Sequence, residues 1–234
     1  MRRAMLFEEL LLIAYDNEKG TPAPAVGRAI DNSLGGAVLA ELALADRIWI
    51  ERDDPGRFTP VRDLVRVSNP TPLGEPETDF VLHQISTRWH TAPIRWWITE
   101  ITKPARYSEY RSMLRERLLD RFVQHRILGV RDEKKLGLFS VRRYPTIDST
   151  IEDAARFRLQ QLIDGRSIDP LTAILMLLVQ TAQVGDQVFP GKPSEREVLE
   201  TTLSEGGWAP QHQCDTVIGI IAGLKSMVVR GGWN

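Results

Sequence analysis

The sequence predicts a mainly α fold: a single helical domain over residues 1–234, packed around a central apolar helix and carrying two β-hairpins. Three observations predict it. Residues 170–183 are apolar nearly all round, as a helix buried on every side must be. Over residues 105–128, Tyr107, Tyr110, Leu114, Leu118 and Phe122 recur at three- and four-residue spacing, the stripe of an amphipathic helix. A helical segment also runs into a pair of β-rich segments twice, at 34–61 and 111–144. The two helix ends, Leu42-Ala43-Leu44-Ala45-Asp46-Arg47-Ile48 and Phe122-Val123-Gln124-His125-Arg126-Ile127-Leu128, can be laid over one another. Such a match is either a degenerate duplication or convergence.

The elements follow in order. Residues 6–15 form a short apolar helix with Glu8 and Glu9 in its first turns, where carboxylates complement the helix dipole. Gly20, Pro22 and Pro24 end it. A second helix over 26–46 carries Gly35, Gly36, Ala37, Ala40 and Ala43, small side chains that let a neighbouring backbone approach. Ile48-Trp49-Ile50 reads as a strand, Asp53-Asp54-Pro55-Gly56 as a turn, and residues 57–61 as the return. Pro70, Pro72, Gly74 and Pro76 make a loop, and residues 77–101 are helical with an interruption near Pro93. After the 105–128 helix, Asp132-Glu133-Lys134-Lys135 reads as a turn, with Leu136, Leu138 and Phe139 on the return strand. Helices over 148–163, 195–203 and 215–229 complete the chain around the 170–183 helix.

Composition narrows the function. Hydrophobic residues at 42% and charged residues at 26% exclude extended disorder and collagen. A lone cysteine, Cys214, closes no internal disulfide, which excludes a disulfide-built secreted domain. The longest apolar runs (10–15, 171–179 and 217–224) fall short of the roughly 20 residues of a spanning helix. Met1-Arg2-Arg3 resembles the basic start of a signal peptide, but Glu8 and Glu9 interrupt the apolar core that would have to follow. The expectation is a soluble, cytoplasmic protein. Arginine outnumbers lysine 24 to 6, a bias of GC-rich bacterial genomes such as those of actinobacteria.

The net charge of -1 hides an asymmetry. Residues 103–143 hold twelve basic and five acidic residues, an excess of +7 that the remainder offsets with -8. As a solvated face this is structural. As a directed patch it is an anion-binding surface for phosphate head groups or nucleic acid.

Catalytic signatures are absent. There is no Gly-rich phosphate loop, nucleophile elbow or His-Glu-x-x-His run. Only His212-Gln213-Cys214 brings a histidine near a cysteine, and zinc needs three or four ligands. No residue spacing supplies Cys214 with a base, so it reads as a packed thiol. No catalytic residue, metal or cofactor is assigned, and the chain reads as non-enzymatic. Trp96 and Trp97, adjacent on a helix, point one ring each way, which leaves one for a partner or a membrane.

Several ordered blocks carry a resemblance: Phe7-Glu8-Glu9-Leu10-Leu11-Leu12; Leu34-Gly35-Gly36-Ala37-Val38-Leu39-Ala40-Glu41-Leu42-Ala43-Leu44-Ala45-Asp46-Arg47-Ile48; Trp97-Ile98; Leu114-Arg115-Glu116-Arg117-Leu118; Leu138-Phe139; and Tyr144-Pro145. With these, residues 6–229 resemble the Golgi phosphoprotein 3 family, whose eukaryotic members bind phosphatidylinositol 4-phosphate on Golgi membranes. The resemblance implies a non-enzymatic peripheral membrane adaptor on the inner face of the membrane. Its implied partners are an anionic phospholipid head group or membrane surface, a protein cargo, and further copies of the chain. It also implies that Leu136, Leu138 and Phe139 touch membrane or another subunit.

The family's lipid pocket uses a tryptophan, an arginine nine residues later, and an Arg-x-x-Arg pair on the helix before the second hairpin. Those positions here hold Val26, Gly35, Ser112 and Arg115. Arg111 stands one residue from Ser112 and four from Arg115, so Arg111 and Arg115 can share one helical face and one phosphate. They are the head-group candidates, and the missing tryptophan and arginine imply an altered or weakened specificity.

Two other readings stand beside this one. A winged-helix nucleic-acid reader would use the basic 103–143 segment, with Arg126, Arg131, Lys134, Lys135, Arg142 and Arg143 on the phosphates. It ranks behind because the resemblance covers far more of the chain. The third is an intracellular scaffold whose ancestral lipid site has decayed.

Overall fold

The computed structural model describes residues 3–22, 27–54, 62–88, 91–104, 113–135, 139–166 and 168–230, excepting the side chains of residues 134, 135, 139, 140, 229 and 230. These residues form a mainly α fold with two small antiparallel hairpins. In chain order they are α1 (Leu6–Ile13), α2 (Gly27–Leu44), β1 (Ile48–Asp53), β2 (Arg62–Val67), α3 (Pro76–Thr87), α4 (Ile94–Thr102), α5 (Leu114–Gln124), β3 (Arg131–Lys135), β4 (Phe139–Arg143), α6 (Thr150–Ile163), α7 (Pro170–Thr181), α8 (Gly185–Val188), α9 (Pro193–Ser204) and α10 (Gln211–Arg230).

The expected central helix is α7. Ala173, Ile174, Leu175, Met176, Leu177, Leu178 and Val179 are all buried, which is why its sequence has no polar face. It packs among α1, α2, α6, α9 and α10. The Asp169 side chain accepts from Thr172 N at 3.0 Å, and Pro170 occupies the first turn, where its missing N–H costs nothing. Asp169→Ala should lower stability by about 1 kcal/mol, the usual worth of such a cap, read as a lower urea midpoint at unchanged slope.

The small residues of α2 do what their size allows. A Cβ on Gly35 would lie 2.8 Å from the Ile98 carbonyl oxygen of α4, and one on Gly36 would lie 2.5 Å from Leu224 Cδ1 of α10. Two helices therefore pack against the bare α2 backbone.

Charge is buried between elements as well. Arg121 of α5 reaches Glu75 Oε1 at 2.8 Å, Glu77 Oε1 at 3.2 Å and Glu8 Oε1 at 3.6 Å, and Arg117 meets Glu77 Oε2 at 2.7 Å. Glu8, Glu75 and Glu77 are all buried. Burial holds the Glu75 carboxyl above the ordinary carboxylate range, against the opposing pull of the Thr78 N–H and the Arg121 guanidinium. Glu8 also accepts from Met5 N at 2.9 Å, so one carboxylate caps α1 and joins it to α5.

The two helix-to-hairpin units match at the register of the sequence overlay. α2 ends with Asp46 at φ +55°, and α5 ends with Arg126 at φ +58°. Arg47 N donates to Leu42 O at 2.8 Å, and Ile127 N donates to Phe122 O at 2.9 Å, closing both helices with a left-handed cap. Each hairpin then returns to the same carbonyl: Ser68 and Asn69 N to Arg47 O, Ile147 and Asp148 N to Ile127 O.

One strand expectation is corrected and another falls outside the described residues. Residues 57–61, read as the first return, are among those not described, and the described return strand is Arg62–Val67. Val65 and Val67 face partners across β1, in register with Ile50 and Ile48. In the second hairpin Asp132-Glu133-Lys134-Lys135 is not the turn but part of β3, and β4 begins at Phe139. The charged run is tolerated in a strand because this two-stranded ribbon faces solvent. Asp132 stands opposite Arg142 and pairs with it at 3.8 Å, and Glu133 pairs with Arg143. The described part of the 105–128 helix is α5, and Tyr107 and Tyr110 lie outside the described residues.

Candidate anion-binding site

Arg115 is the second residue of α5, and its side chain is about a quarter exposed. Two other chain segments bring side chains to it, and a third packs on the second of these. From α2, Asp31 brings Oδ1 to 3.3 Å from Arg115 Nε. From the turn after α1 comes Tyr15, a buried side chain whose hydroxyl feels the Arg115 charge. From the loop after β4 comes Tyr144, whose ring meets that of Tyr15 edge-on at 6.4 Å between centroids.

Local sequence explains the arrangement. Gly20, at φ +61°, lies against the 144–145 backbone, where any Cβ would fall 2.4 Å from Tyr144 N. Tyr144 N donates to Gly20 O at 2.8 Å and Thr146 N to Asn17 O at 2.9 Å, so the two loops are zipped together and set Tyr144 against Tyr15.

The electrostatics are those of a half-satisfied pair. Asp31 Oδ1 is sealed from solvent and accepts no hydrogen bond, so it meets the guanidinium by charge alone. Burial pushes the Asp31 carboxyl above its ordinary range; Arg115 opposes this and Glu116 adds to it. Burial likewise pushes the Tyr15 hydroxyl up to about 12, so it stays protonated at neutral pH. Among the described residues the Arg115 Nη groups donate no hydrogen bond, and the closest approach to Asp31 is at Nε. A guanidinium with a free Nη fork is a donor pair shaped for two oxygens of a carboxylate or phosphate.

Of the expected site residues, Arg115 alone is placed here. Arg111, Val26, Leu136 and Leu138 lie outside the described residues; Phe139 starts β4, but its side chain is outside them too. Gly35 faces Ile98 and Thr102 of α4 one turn from Asp31. Asp31, Tyr15 and Tyr144 were not read as site residues. The signal for Asp31 was its position four residues before Gly35, on the same face of α2 as the absent family arginine.

Six of the twelve basic residues of the expected +7 surface are engaged in ion pairs among the described residues. Lys103 pairs with Glu100, Arg115 with Asp31, Arg117 with Glu77, Arg121 with three glutamates, Arg142 with Asp132 and Arg143 with Glu133. Much of the balancing charge comes from α1, α2 and α3, which a count within the segment misses. The phosphate contacts of a winged-helix reader lose Arg142 and Arg143 to these pairs.

The two tryptophans of α4 do not diverge. Trp96 and Trp97 meet edge-on at 4.9 Å and line one cavity of about 410 Å³ with Phe80, Ile101 and Glu100, and the Arg88 guanidinium lies 3.8 Å over the Trp96 ring. Cys214 is buried and donates to Ala209 O at 3.3 Å, while His212 Nε2 meets Asp46 Oδ1 at 2.8 Å. The two side chains therefore serve different contacts. None of the described helices is long and apolar enough to cross a membrane.

A family model described as Golgi phosphoprotein 3 (GPP34) matches residues 6–217. That span takes in every segment around Arg115 and both helix-to-hairpin units, and on this evidence the chain belongs to the Golgi phosphoprotein 3 family.

Proposed function

We propose that the chain is a non-enzymatic peripheral membrane adaptor that holds an anionic phospholipid head group at Arg115. The observation that carries this reading is Arg115, three-quarters buried beside Asp31 and Tyr15 with no hydrogen bond from its Nη groups to the described residues, in a chain of this family. Family membership supports the adaptor role, and the Arg115 guanidinium supports an anionic ligand. Arg115 stands at the start of its helix, where the macrodipole adds to the attraction for an anion. Cargo and self-association belong to the same reading, with the far end of the β3–β4 hairpin, where Phe139 begins β4, against membrane or a second copy.

Vesicle co-sedimentation tests it. The protein should bind phosphatidylglycerol vesicles over neutral phosphatidylcholine vesicles, and bind them less at physiological salt than at low salt. Arg115→Gln should weaken that binding about fivefold, matching the about 1 kcal/mol of one basic residue near an anionic surface. Equal binding by both proteins would remove Arg115 from the site.

A further inference from the structure

We infer that Asp31 sets which anionic head group the Arg115 niche accepts, favouring a singly charged phosphodiester over a doubly charged phosphomonoester. The inference rests on the reading that Arg115 holds a lipid phosphate.

Asp31 is an internal counter-anion. Its Oδ1 lies 3.3 Å from Arg115 Nε, so the pair is neutral before any ligand arrives. The closest contact is at Nε and the Nη groups donate no hydrogen bond to the described residues, so their N–H groups can donate to an incoming phosphate. A phosphate on that fork therefore sits close to a fixed carboxylate. Asp31 cannot turn away cheaply, because its side chain is only 14% exposed and Oδ1 is already sealed from water. In such a niche charges are screened far less than in water. A phosphodiester brings one negative charge next to Asp31. A phosphomonoester brings about -1.5 to -2 at neutral pH, so it meets close to twice the repulsion.

The described groups around the pair do not relieve it. Glu116 adds negative charge from α5, and the buried Tyr15 hydroxyl stays neutral. Arg142 stands beside the Tyr144 hydroxyl but is engaged with Asp132 on the exposed ribbon.

The test compares the full chain with Asp31→Asn, which keeps the side-chain shape and removes the charge, and with Arg115→Gln. Vesicles carry phosphatidylcholine alone, or with phosphatidylglycerol (phosphodiester), or with phosphatidylinositol 4-phosphate (phosphomonoester) at matched surface charge. Inorganic phosphate and dimethyl phosphate, titrated against the Arg115 Nε–H resonance, separate free-phosphate recognition from the membrane. The native chain should prefer phosphatidylglycerol. Asp31→Asn should raise affinity for the phosphomonoester vesicles roughly tenfold and for phosphatidylglycerol roughly threefold or less, with the soluble phosphates following the same order.

Equal gains for both lipids, or no gain for either, would overturn the role of Asp31. If phosphatidylglycerol binding still falls in Arg115→Gln, the proposed function survives that result. If only Asp31→Asn binds the phosphomonoester, the inference holds and Asp31 blocks the native niche. If neither the native chain nor Asp31→Asn binds any anionic vesicle or soluble phosphate, the lipid reading and the inference fall together. An unchanged melting temperature for Asp31→Asn confirms that the comparison is between folded proteins.

Discussion

Arg121→Ala should be among the most damaging single changes outside the apolar core, lowering stability by about 4 kcal/mol and the melting temperature by about 10 °C. One guanidinium, with its side chain 19% exposed, serves Glu75, Glu77 and Glu8 at 2.8, 3.2 and 3.6 Å. All three carboxylates are buried, and they come from two helices and the residue capping one of them. Removing the arginine takes from buried Glu75 its 2.8 Å counter-ion and leaves Glu77 to Arg117 alone, which costs far more than the native network gains. Arg121→Lys keeps the charge but not the fork, and should lose about half as much.

The pH dependence has a definite sign. Burial already holds the Glu75 carboxyl above the ordinary range, with Arg121 opposing, so the variant should bind that proton more tightly still. A raised folded-state carboxyl favours the folded state as pH falls through it. The gap between the native chain and Arg121→Ala should therefore narrow from pH 7 to pH 5. Parallel urea titrations at the two pH values decide it. A loss under 1 kcal/mol, or a gap independent of pH, would mean that water already screens the network.

Gly35→Arg, which restores the family's arginine, should destabilise the fold by about 3 kcal/mol and add no lipid selectivity. The first added carbon meets the Ile98 carbonyl oxygen at 2.8 Å and Thr102 Cγ2 at 3.1 Å. The carbonyl is backbone, so it cannot swing aside as a side chain would; α4 must move as a body. Replacing an interior helical glycine returns at most about 1 kcal/mol of helix propensity, which the displacement outweighs. Urea denaturation and binding to phosphatidylinositol 4-phosphate vesicles read the two halves. A stable variant with new phosphoinositide selectivity would show that α2 and α4 can separate and that only the missing arginine distinguishes this niche.

What the sequence disclosed follows from the range of the interactions involved. Helical periodicity is local, so α1, α2, α6, α7, α9 and α10 were legible to within a few residues, and the all-apolar face of α7 showed its central place. The overlay of 42–48 on 122–128 marks two left-handed caps at Asp46 and Arg126, of which only the aspartate has a known tolerance for positive φ. The β3 strand was misread because its charge resembles turn composition, and its partners Arg142 and Arg143 lie ten residues on. The niche itself was legible only at Arg115. Its other members come from around residues 15, 31 and 144, and no spacing within one helix relates them. Asp31 is the member least visible in the sequence: Gly35 marks the missing arginine, whereas the acid one turn earlier meets the remaining arginine only through the fold.

The bare backbone of α2 constrains how the molecule is made. Gly36 is covered by Leu224, 188 positions later in the chain, and Asp46 is held by His212 and Gln213 at the head of the same distant helix. While the ribosome works through the intervening helices, the nascent chain carries an unfinished apolar seam that local contacts cannot close. Contacts this far apart fold slowly, and the exposed seam is a surface that a chaperone can grip. Synthesis of α10 is thus the step that lets the core close, and translation paused before it would leave α2 open.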